Sequence, residues 1–156
     1  MIILSMEALI DSETLIANMS RRANELPSKL QKLVTESSMI TQGNIQDETP
    51  VRTGNAQSSI RRENLGLFQA RVFADLGIAP YVEWLISGTD PYTYDIWAKP
   101  GSALNTPYGL FKRVTINHPG ISANPFFDRG IQNSKSDIDA EIESFTNWLT
   151  GESDDY

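Results

Sequence analysis

The two ends of the chain carry apolar residues at helical spacing. From about residue 5 to residue 46 they recur at steps of mostly three and four, the period of an amphipathic helix. Because proline is tolerated best in a first helical turn, we predict a short helix ending near Glu25 and a longer one from Pro27 onward. A second apolar series follows Pro125 and ends at Gly151, which predicts a C-terminal helix. We expect these stripes to form the core, with the following members: Leu30, Leu33, Val34, Phe127, Ile131, Phe145 and Trp148.

The middle of the chain has the pattern of strands. Two strand-like runs, residues 57–63 and 67–75, are separated by Gly66, so a β-hairpin is the simplest connection between them. Residues 79–88 are too few for an independent helix but enough for a packed helical turn, and we predict a short helix there.

Residues 89–121 are rich in proline, glycine and aromatic residues. We predict strands at residues 94–98 and 110–116, separated by a turn-rich stretch that is long for a plain hairpin loop. Long loops of this kind usually serve an interface, and aromatic side chains are enriched at interface hot spots. The candidate interface residues are Tyr92, Tyr94, Trp97, Tyr108 and Phe111.

These elements predict an α+β fold with N-terminal helices, a central antiparallel sheet with a long loop, and a C-terminal helix. With 156 residues, the chain has enough length for one core, and we expect a single domain. Its predicted regions are helical (1–47), sheet (48–122, with the long loop at 89–121), C-terminal helix (123–150) and flexible acidic tail (151–156).

Charge and composition narrow the class of function. The net charge is −7 and the pI is about 4.6, whereas a protein that grips the nucleic-acid backbone normally has a basic stripe or a high pI. Stable DNA wrapping is therefore not expected. The chain has no cysteine, which excludes a disulfide framework and sulfur-ligated metals. No run approaches the roughly 20 apolar residues that cross a bilayer, so we expect a soluble protein with no membrane contact.

Charged clusters in the predicted helices and strands have two interpretations. We expect the acidic residues 137–143 to form a solvated face, with an acidic wall that repels DNA phosphate as the alternative. The basic pairs Arg61-Arg62 and Lys112-Arg113 are also expected to be solvated, with contact to DNA or to an acidic neighbour as the alternative.

Residues suited to catalysis are few. His118 is the only histidine, and because it precedes Pro119 in a turn we expect a hydrogen-bonded turn residue. The chain has no G-x-S-x-G elbow, no H-E-x-x-H pair and no phosphate-binding glycine loop. Glu83, flanked by Tyr81 and Trp84, leaves a carboxylate-dependent hydrolase as a distant alternative, although such a glutamate is more often a buried or interface hydrogen-bond acceptor. We predict no enzyme, no catalytic, cofactor-binding or metal-binding residue, and no small-molecule substrate.

Three segments carry a resemblance to a known family through their order and spacing. They are TPVRTGNAQSSI (residues 49–60), APYVEWLISGTDPY (residues 79–92) and HPGISANPFFDRGI (residues 118–131). The family pattern has Thr-Pro and Thr-Gly before a Ser-Ile strand start, then Tyr, Glu and Gly-Thr, and finally His-Pro-Gly and Pro-Phe. The matching residues are Thr49, Pro50, Thr53, Gly54, Ser59, Ile60, Tyr81, Glu83, Gly88, Thr89, His118, Pro119, Gly120, Pro125 and Phe126.

With these residues the chain resembles the neck or tail-completion proteins typified by phage HK97, which join head to tail in long-tailed phages. The similarity covers residues 49–133 and departs from the family at Arg52, where an acidic residue is more usual, and at Ala56, where leucine is. It implies an α+β protomer that assembles as a ring around the passage for DNA. The tail terminator, a ring that caps the tail tube, is the alternative in the same class, and a host-encoded binding module is a third.

The resemblance also implies where the protein acts. We expect a virion component at the head-tail junction, made in the host cytoplasm. Its expected partners are copies of itself, other head-tail connector or tail-tube proteins and, transiently and without specificity, genomic DNA. Our hypothesis is that residues 89–121 dock onto a neighbouring protomer or an adjacent ring.

Overall fold

The computed structural model describes residues 12–152 of the chain. These residues form helices and antiparallel strands, with a long helix at each end, and the predicted α+β class is confirmed. The predicted helical residues 5–11 and residues 153–156 of the predicted acidic tail lie outside the described residues. Within the described part of the chain, no helix combines the length and the apolar character needed to cross a bilayer.

Helix α1 spans Ser12–Glu48 without a break, and Pro27 lies inside it. The predicted division into two helices is therefore wrong. An internal proline removes a backbone hydrogen bond and costs about 3 kcal/mol, but contacts on both sides of it offset that cost. Arg22 donates to the Trp148 carbonyl oxygen at 2.5 Å, and the Lys29 ammonium lies 5.4 Å from the centre of the Trp148 ring. Packing against one residue thus holds both parts of the helix.

The predicted C-terminal helix is confirmed as α4, Phe126–Thr150. It ends at Gly151, whose φ of +90° is a conformation that favours glycine. Phe145 and Trp148 are buried as predicted, whereas Ile131 is 47% exposed and its assignment to the core is wrong. Successive helix residues are rotated by about 100° about the helix axis, so residue 131 points away from the buried side on which residue 130 lies. The other predicted core residues are partly buried: Leu30, Leu33, Val34 and Phe127.

The predicted hairpin is confirmed, with a different start. It consists of strand β1 (Ile60–Gly66) and strand β2 (Gln69–Ala74), and helix α2 (Asn55–Ser59) directly precedes it. The first strand begins at Ile60 and not at residue 57, because the preceding residues form one helical turn. The Ser59 hydroxyl donates to the Ala56 carbonyl oxygen at 2.6 Å, a local bond that competes with extended structure.

The predicted short helix is also confirmed, as α3, Val82–Ser87. The strands predicted at residues 94–98 and 110–116 are confirmed with shifted bounds, and the stretch predicted as a loop between them contains two short strands. The four strands are β3 (Tyr92–Trp97), β4 (Leu104–Thr106), β5 (Gly109–Phe111) and β6 (Arg113–His118). Strand β3 pairs antiparallel with β6, and β4 pairs antiparallel with β5. We call residues 92–118 the ribbon. In the described residues the strands form three two-stranded sheets, so the expected single central sheet is wrong.

Contacts among the described residues divide the chain into two compact units. Unit 1 contains residues 12–41, 62–72 and 134–152, and its buried apolar side chains are Phe145 and Trp148. Unit 2 contains residues 42–61 and 73–133, and its buried apolar side chains are Ile45, Ala56, Ile60, Ala79, Val82 and Phe126. That the chain forms one domain stays a prediction.

Candidate functional site

The first family-like segment forms the turn after helix α1. The Thr49 side chain is buried, and its hydroxyl donates to the Ile45 carbonyl oxygen at 2.6 Å. Pro50 follows and disfavours further helix. Gly54 then adopts a φ of +81° directly before α2, a conformation that an L side chain rarely takes. Thr49 and Gly54 therefore define this turn, whereas Thr53 is exposed.

The end of this segment is attached to α1 by two glutamines. The amide nitrogens of Gln42 and Gln46 donate to the Ile60 carbonyl oxygen at 3.0 and 3.2 Å. The backbone N–H of Asp75 donates to the Ser59 carbonyl oxygen at 2.8 Å. Sequence reasoning missed both glutamines, although their four-residue spacing on one helix face was a usable signal.

The second and third family-like segments meet at a backbone bridge. The N–H groups of Thr89 and Ile121 each donate to the other residue's carbonyl oxygen, at 2.9 and 3.1 Å. Gly88 (φ +75°) and Gly120 (φ +84°) precede these two residues. A Cβ on Gly88 would lie 2.7 Å from the Ile121 carbonyl oxygen, and one on Gly120 would overlap the Thr89 carbonyl oxygen. Both glycines are required for this close approach.

His118 is the last residue of strand β6 and not a turn residue, so its predicted position is wrong, but it is hydrogen-bonded as predicted. Its Nδ1 accepts a hydrogen bond from the Gly120 N–H at 3.1 Å. Its ring stacks on that of Tyr92, its register partner, with centroids 4.8 Å apart. These contacts fix the base of the ribbon. Pro119, the next residue, is exposed.

The third segment packs on the end of α1. Phe126 is fully buried, and Pro125 supplies a carbonyl oxygen that accepts the Arg129 N–H at 3.1 Å. The Arg129 side chain donates to a Glu48 carboxylate oxygen at 2.8 Å. A Cβ on Gly130 would lie 2.5 Å from the Ile45 Cα, so only glycine permits this helix contact. Sequence reasoning missed the ion pair, whereas a glycine inside a predicted helix is a recognised signal of close packing.

The first and second segments also line a shared cleft. Its volume is about 560 Å³, and its lining residues include Pro50, Arg52, Thr53, Gly54 and Tyr81. Glu83 lies on the neighbouring helix α3 and is exposed. Glu83 is therefore not a buried acceptor, and its expected role as an interface acceptor stays a prediction. All three family-like segments lie in unit 2, where the first and second line this cleft and the second and third are joined by the Thr89–Ile121 bridge.

The ribbon places different side chains on its two faces. Because side chains alternate along a strand, the register pairs Tyr94 with Ile116 and Ile96 with Val114 on one face, which we call the apolar face. Tyr92 and His118 extend it at the base. Sequence reasoning missed the three aliphatic residues of this face, because strand register was needed to find them.

The opposite face of the ribbon is polar. Asp95 accepts hydrogen bonds from the Thr115 hydroxyl and the Arg113 guanidinium, both at 2.6 Å. The Thr115 bond, followed by that of Arg113, holds the pKa of the Asp95 carboxyl below its usual value. Arg113 also lies 5.1 Å from the centre of the Trp97 ring, a cation–π distance. Trp97 therefore lies on the polar face of the ribbon, whereas Tyr92 and Tyr94 lie on the apolar face.

All five candidate interface residues are exposed, by between 43% and 90%. Tyr108 and Phe111 belong to the distal end of the ribbon. With Val114 and Ile116 they line a groove of about 460 Å³. Four of the five candidates thus border the apolar face or its groove, and only Trp97 does not.

The charged clusters differ in whether their side chains have partners in the structure. Arg61 pairs with Asp75 at 3.6 Å, and Arg62 donates to the Ser38 hydroxyl at 3.3 Å. The prediction that these two arginines are simply solvated is therefore incomplete. Lys112 is exposed, and the acidic residues 137–143 are exposed or partly exposed. Within residues 12–152, no group of three His, Asp or Glu side chains is arranged to hold a metal ion.

The chain was compared with known proteins at three levels. No protein-family model, no curated protein and no solved structure matches it.

Proposed function

We propose that the chain is a structural protein of the head-to-tail joint of a long-tailed virus or prophage, where it acts by forming interfaces between protomers and between rings. The observation that carries the proposal is the exposed apolar face of the ribbon, bounded by Tyr92, Tyr94 and Ile96 on strand β3. A protein with this function requires a shaped surface and no reaction chemistry.

The physical argument begins with the instability of an uncovered ribbon. A two-stranded sheet is marginally stable in water unless another element covers one face. Every residue of β3 is exposed, and Val114 and Ile116 of β6 are only partly buried, so much of the apolar face of the ribbon is open in the protomer. Contiguous exposed apolar surface of this kind marks an interaction site. A partner that covers the apolar face would stabilise the ribbon and bind through it.

The position of the ribbon supports the same proposal. Its base is fixed by the Thr89–Ile121 bridge and the His118–Tyr92 stack, which belong to the second and third family-like segments. The first segment contacts the second at the shared cleft. The residues of the resemblance therefore have a common structural task, because they build the platform from which the ribbon extends.

Repetition supplies the strength of such a joint. In a ring, each weak contact between protomers is repeated, and each repeat raises the effective concentration for the next. Contacts that use two different surfaces of one chain close into a ring when the rotation between copies allows it. A modest apolar face is then sufficient for a tight joint.

The test is to shorten the ribbon in the virus or prophage that encodes the chain. Residues 100–110 are replaced by Asn-Gly, which retains the pairing of Ala98 with Lys112 seen in their 2.8 Å hydrogen bond, and Tyr94→Ser with Ile96→Thr removes the apolar side chains of the face on strand β3. We expect the variant to fold, and we expect tails of normal length and filled heads that remain unjoined. Trp84→Ser, which removes an exposed aromatic ring outside the ribbon, is the control.

Electron micrographs of these lysates separate the alternatives. Abnormally long tails would instead identify a tail terminator. Joined, infectious particles in normal yield from the shortened ribbon would overturn the proposal.

A further inference from the structure

We infer that the ribbon of one copy docks onto the last four turns of helix α4 of the next copy, an inference that rests on the proposed function and names the surface that the ribbon meets. The juxtaposition joins a basic, apolar ribbon to an acidic, apolar helix face. Each copy carries both surfaces.

The ribbon is basic although the chain as a whole is acidic. It contains three basic residues and one acidic residue, so its formal charge is 3 − 1 = +2, against −7 for the whole chain. The acidic residue, Asp95, is already paired with Arg113 at 2.6 Å. The remaining cations are Lys99 and Lys112, which are exposed and form no salt bridge with any described residue. They lie beyond the pair of Trp97 and Arg113, Lys112 by one position, where it pairs with Ala98, and Lys99 by two.

The last turns of α4 have the opposite charge. Residues 134–150 contain four acidic residues and one lysine, which gives a formal charge of 1 − 4 = −3. Among the described residues, none of the four carboxylates forms a salt bridge. Ile142 and Leu149, which are 46% and 45% exposed, are seven residues apart and lie on the same side of the helix. Asp139 and Glu143 form the adjacent row, four residues apart.

The two surfaces match in both chemistry and layout. The helix offers an aliphatic stripe beside an acidic row, and the ribbon offers an apolar face with two lysines at its end. The groove lined by Tyr108, Phe111 and Ile116 can receive an aliphatic side chain such as Ile142. Complementary charges of this kind guide association and set register.

A second copy fits this surface better than a nucleic acid does. Arg113, the ribbon residue best suited to bidentate phosphate contact, is held by Asp95 and Trp97. The groove beside it is lined mostly by apolar side chains. Because ribbon and helix are different surfaces of the same chain, the contact is heterologous and leaves a free ribbon and a free helix for further copies.

The test uses two charge-reversed variants of the full chain. The ribbon variant carries Lys99→Glu and Lys112→Glu, and the helix variant carries Asp139→Lys and Glu143→Lys. Each variant alone faces like charge at every contact, so we expect its association constant to fall by about tenfold or more. In an equimolar mixture every ribbon again meets a helix of opposite charge when the variants alternate, and we expect assembly to return. Mass photometry of each variant, the mixture and the wild-type chain measures this.

The control is Glu13→Lys with Asp47→Lys, which changes the net charge as the helix variant does but at exposed positions outside both surfaces. It should assemble as the wild-type chain does. Rescue by mixing also shows that both variants are folded.

A mixture that stays dissociated while the wild-type chain forms rings and joins heads to tails overturns the inference alone. A wild-type chain that neither self-associates nor binds tails overturns both proposals. Unchanged assembly of the ribbon variant with lost binding to a single-stranded oligonucleotide would assign the ribbon to nucleic acid and also overturn the inference.

Discussion

Thr89 and Ile121 form an isolated antiparallel bridge that closes the base of the ribbon, with reciprocal N–H to carbonyl hydrogen bonds of 2.9 and 3.1 Å. The bridge depends on Gly88 and Gly120, because a side chain at either position would collide with the opposite backbone. The two glycines are therefore as much a part of the bridge as the residues that form its hydrogen bonds.

Substituting Gly120 tests the bridge directly. Gly120→Ala introduces both an unfavourable positive φ and an overlap with the Thr89 carbonyl oxygen, and we expect a loss of about 3 kcal/mol in the free energy of unfolding. Gly101→Ala is the matched control, because Gly101 has a φ of +81° with no atom near its added Cβ, and it should cost about 1 kcal/mol. Urea unfolding measures both. Equal losses would mean that the strands do not approach closely at Gly120.

Substituting Gly130 tests the contact between α4 and the end of α1. Alanine is favoured over glycine in a helix by about 1 kcal/mol, yet the new Cβ would lie 2.5 Å from the Ile45 Cα. We expect Gly130→Ala to destabilise the fold by about 2 kcal/mol. Gly43→Ala, at a helix position with open space, should instead stabilise it by up to about 1 kcal/mol. A stabilising effect at both positions would contradict the packing described.

Pro27 tests whether α1 is continuous. Because the proline lies inside a helix held on both sides of it, Pro27→Ala restores a backbone hydrogen bond, and we expect the free energy of unfolding to rise by about 1 to 3 kcal/mol. The far-ultraviolet circular dichroism should change little. A substantial gain in helix signal would indicate that the native chain is interrupted at Pro27, as its sequence alone suggests.

Asp95 makes the ribbon sensitive to acid. The hydrogen bonds from Thr115 and Arg113 hold its pKa in the folded chain below the usual 3.8, so its contribution to stability is complete above pH 3.8 and is lost as the pH falls through the lower folded pKa. We expect Thr115→Val, which removes the leading hydrogen bond, to reduce this loss between about pH 4 and pH 2. Urea unfolding of both chains at a series of pH values measures the change. Identical acid profiles for wild-type and variant chains would exclude the Thr115 contact as its source.

Local signals made some of the fold predictable. Pro125 and Gly151 bound α4 at the predicted places, and α3 was found from its short apolar run. The break at Pro27 was predicted wrongly because a local proline penalty is offset by contacts with Trp148, which is far away in sequence. The α+β class was predictable because the spacing of apolar residues, which distinguishes helices from strands, is a local property of the sequence.

The candidate site was only partly predictable. Exposure of the five aromatic residues followed from composition, but which face each residue occupies depends on the pairing of β3 with β6. Trp97 was grouped with Tyr92 and Tyr94 in the sequence, whereas the register places it on the opposite face with Arg113. Glu48 and Arg129 form an ion pair although they are far apart in the sequence. A local sequence pattern cannot reveal such a contact.

The most direct test of the proposed function is the location of the protein on its virus. Purified tails that lack the chain are incubated with the full chain carrying a gold label at its C-terminus and are imaged by negative-stain electron microscopy. We expect label at the head-proximal end of each tail and restored joining when heads are added. Label distributed along the tube, or no label on tails together with unchanged joining, would contradict a role at the head-to-tail joint.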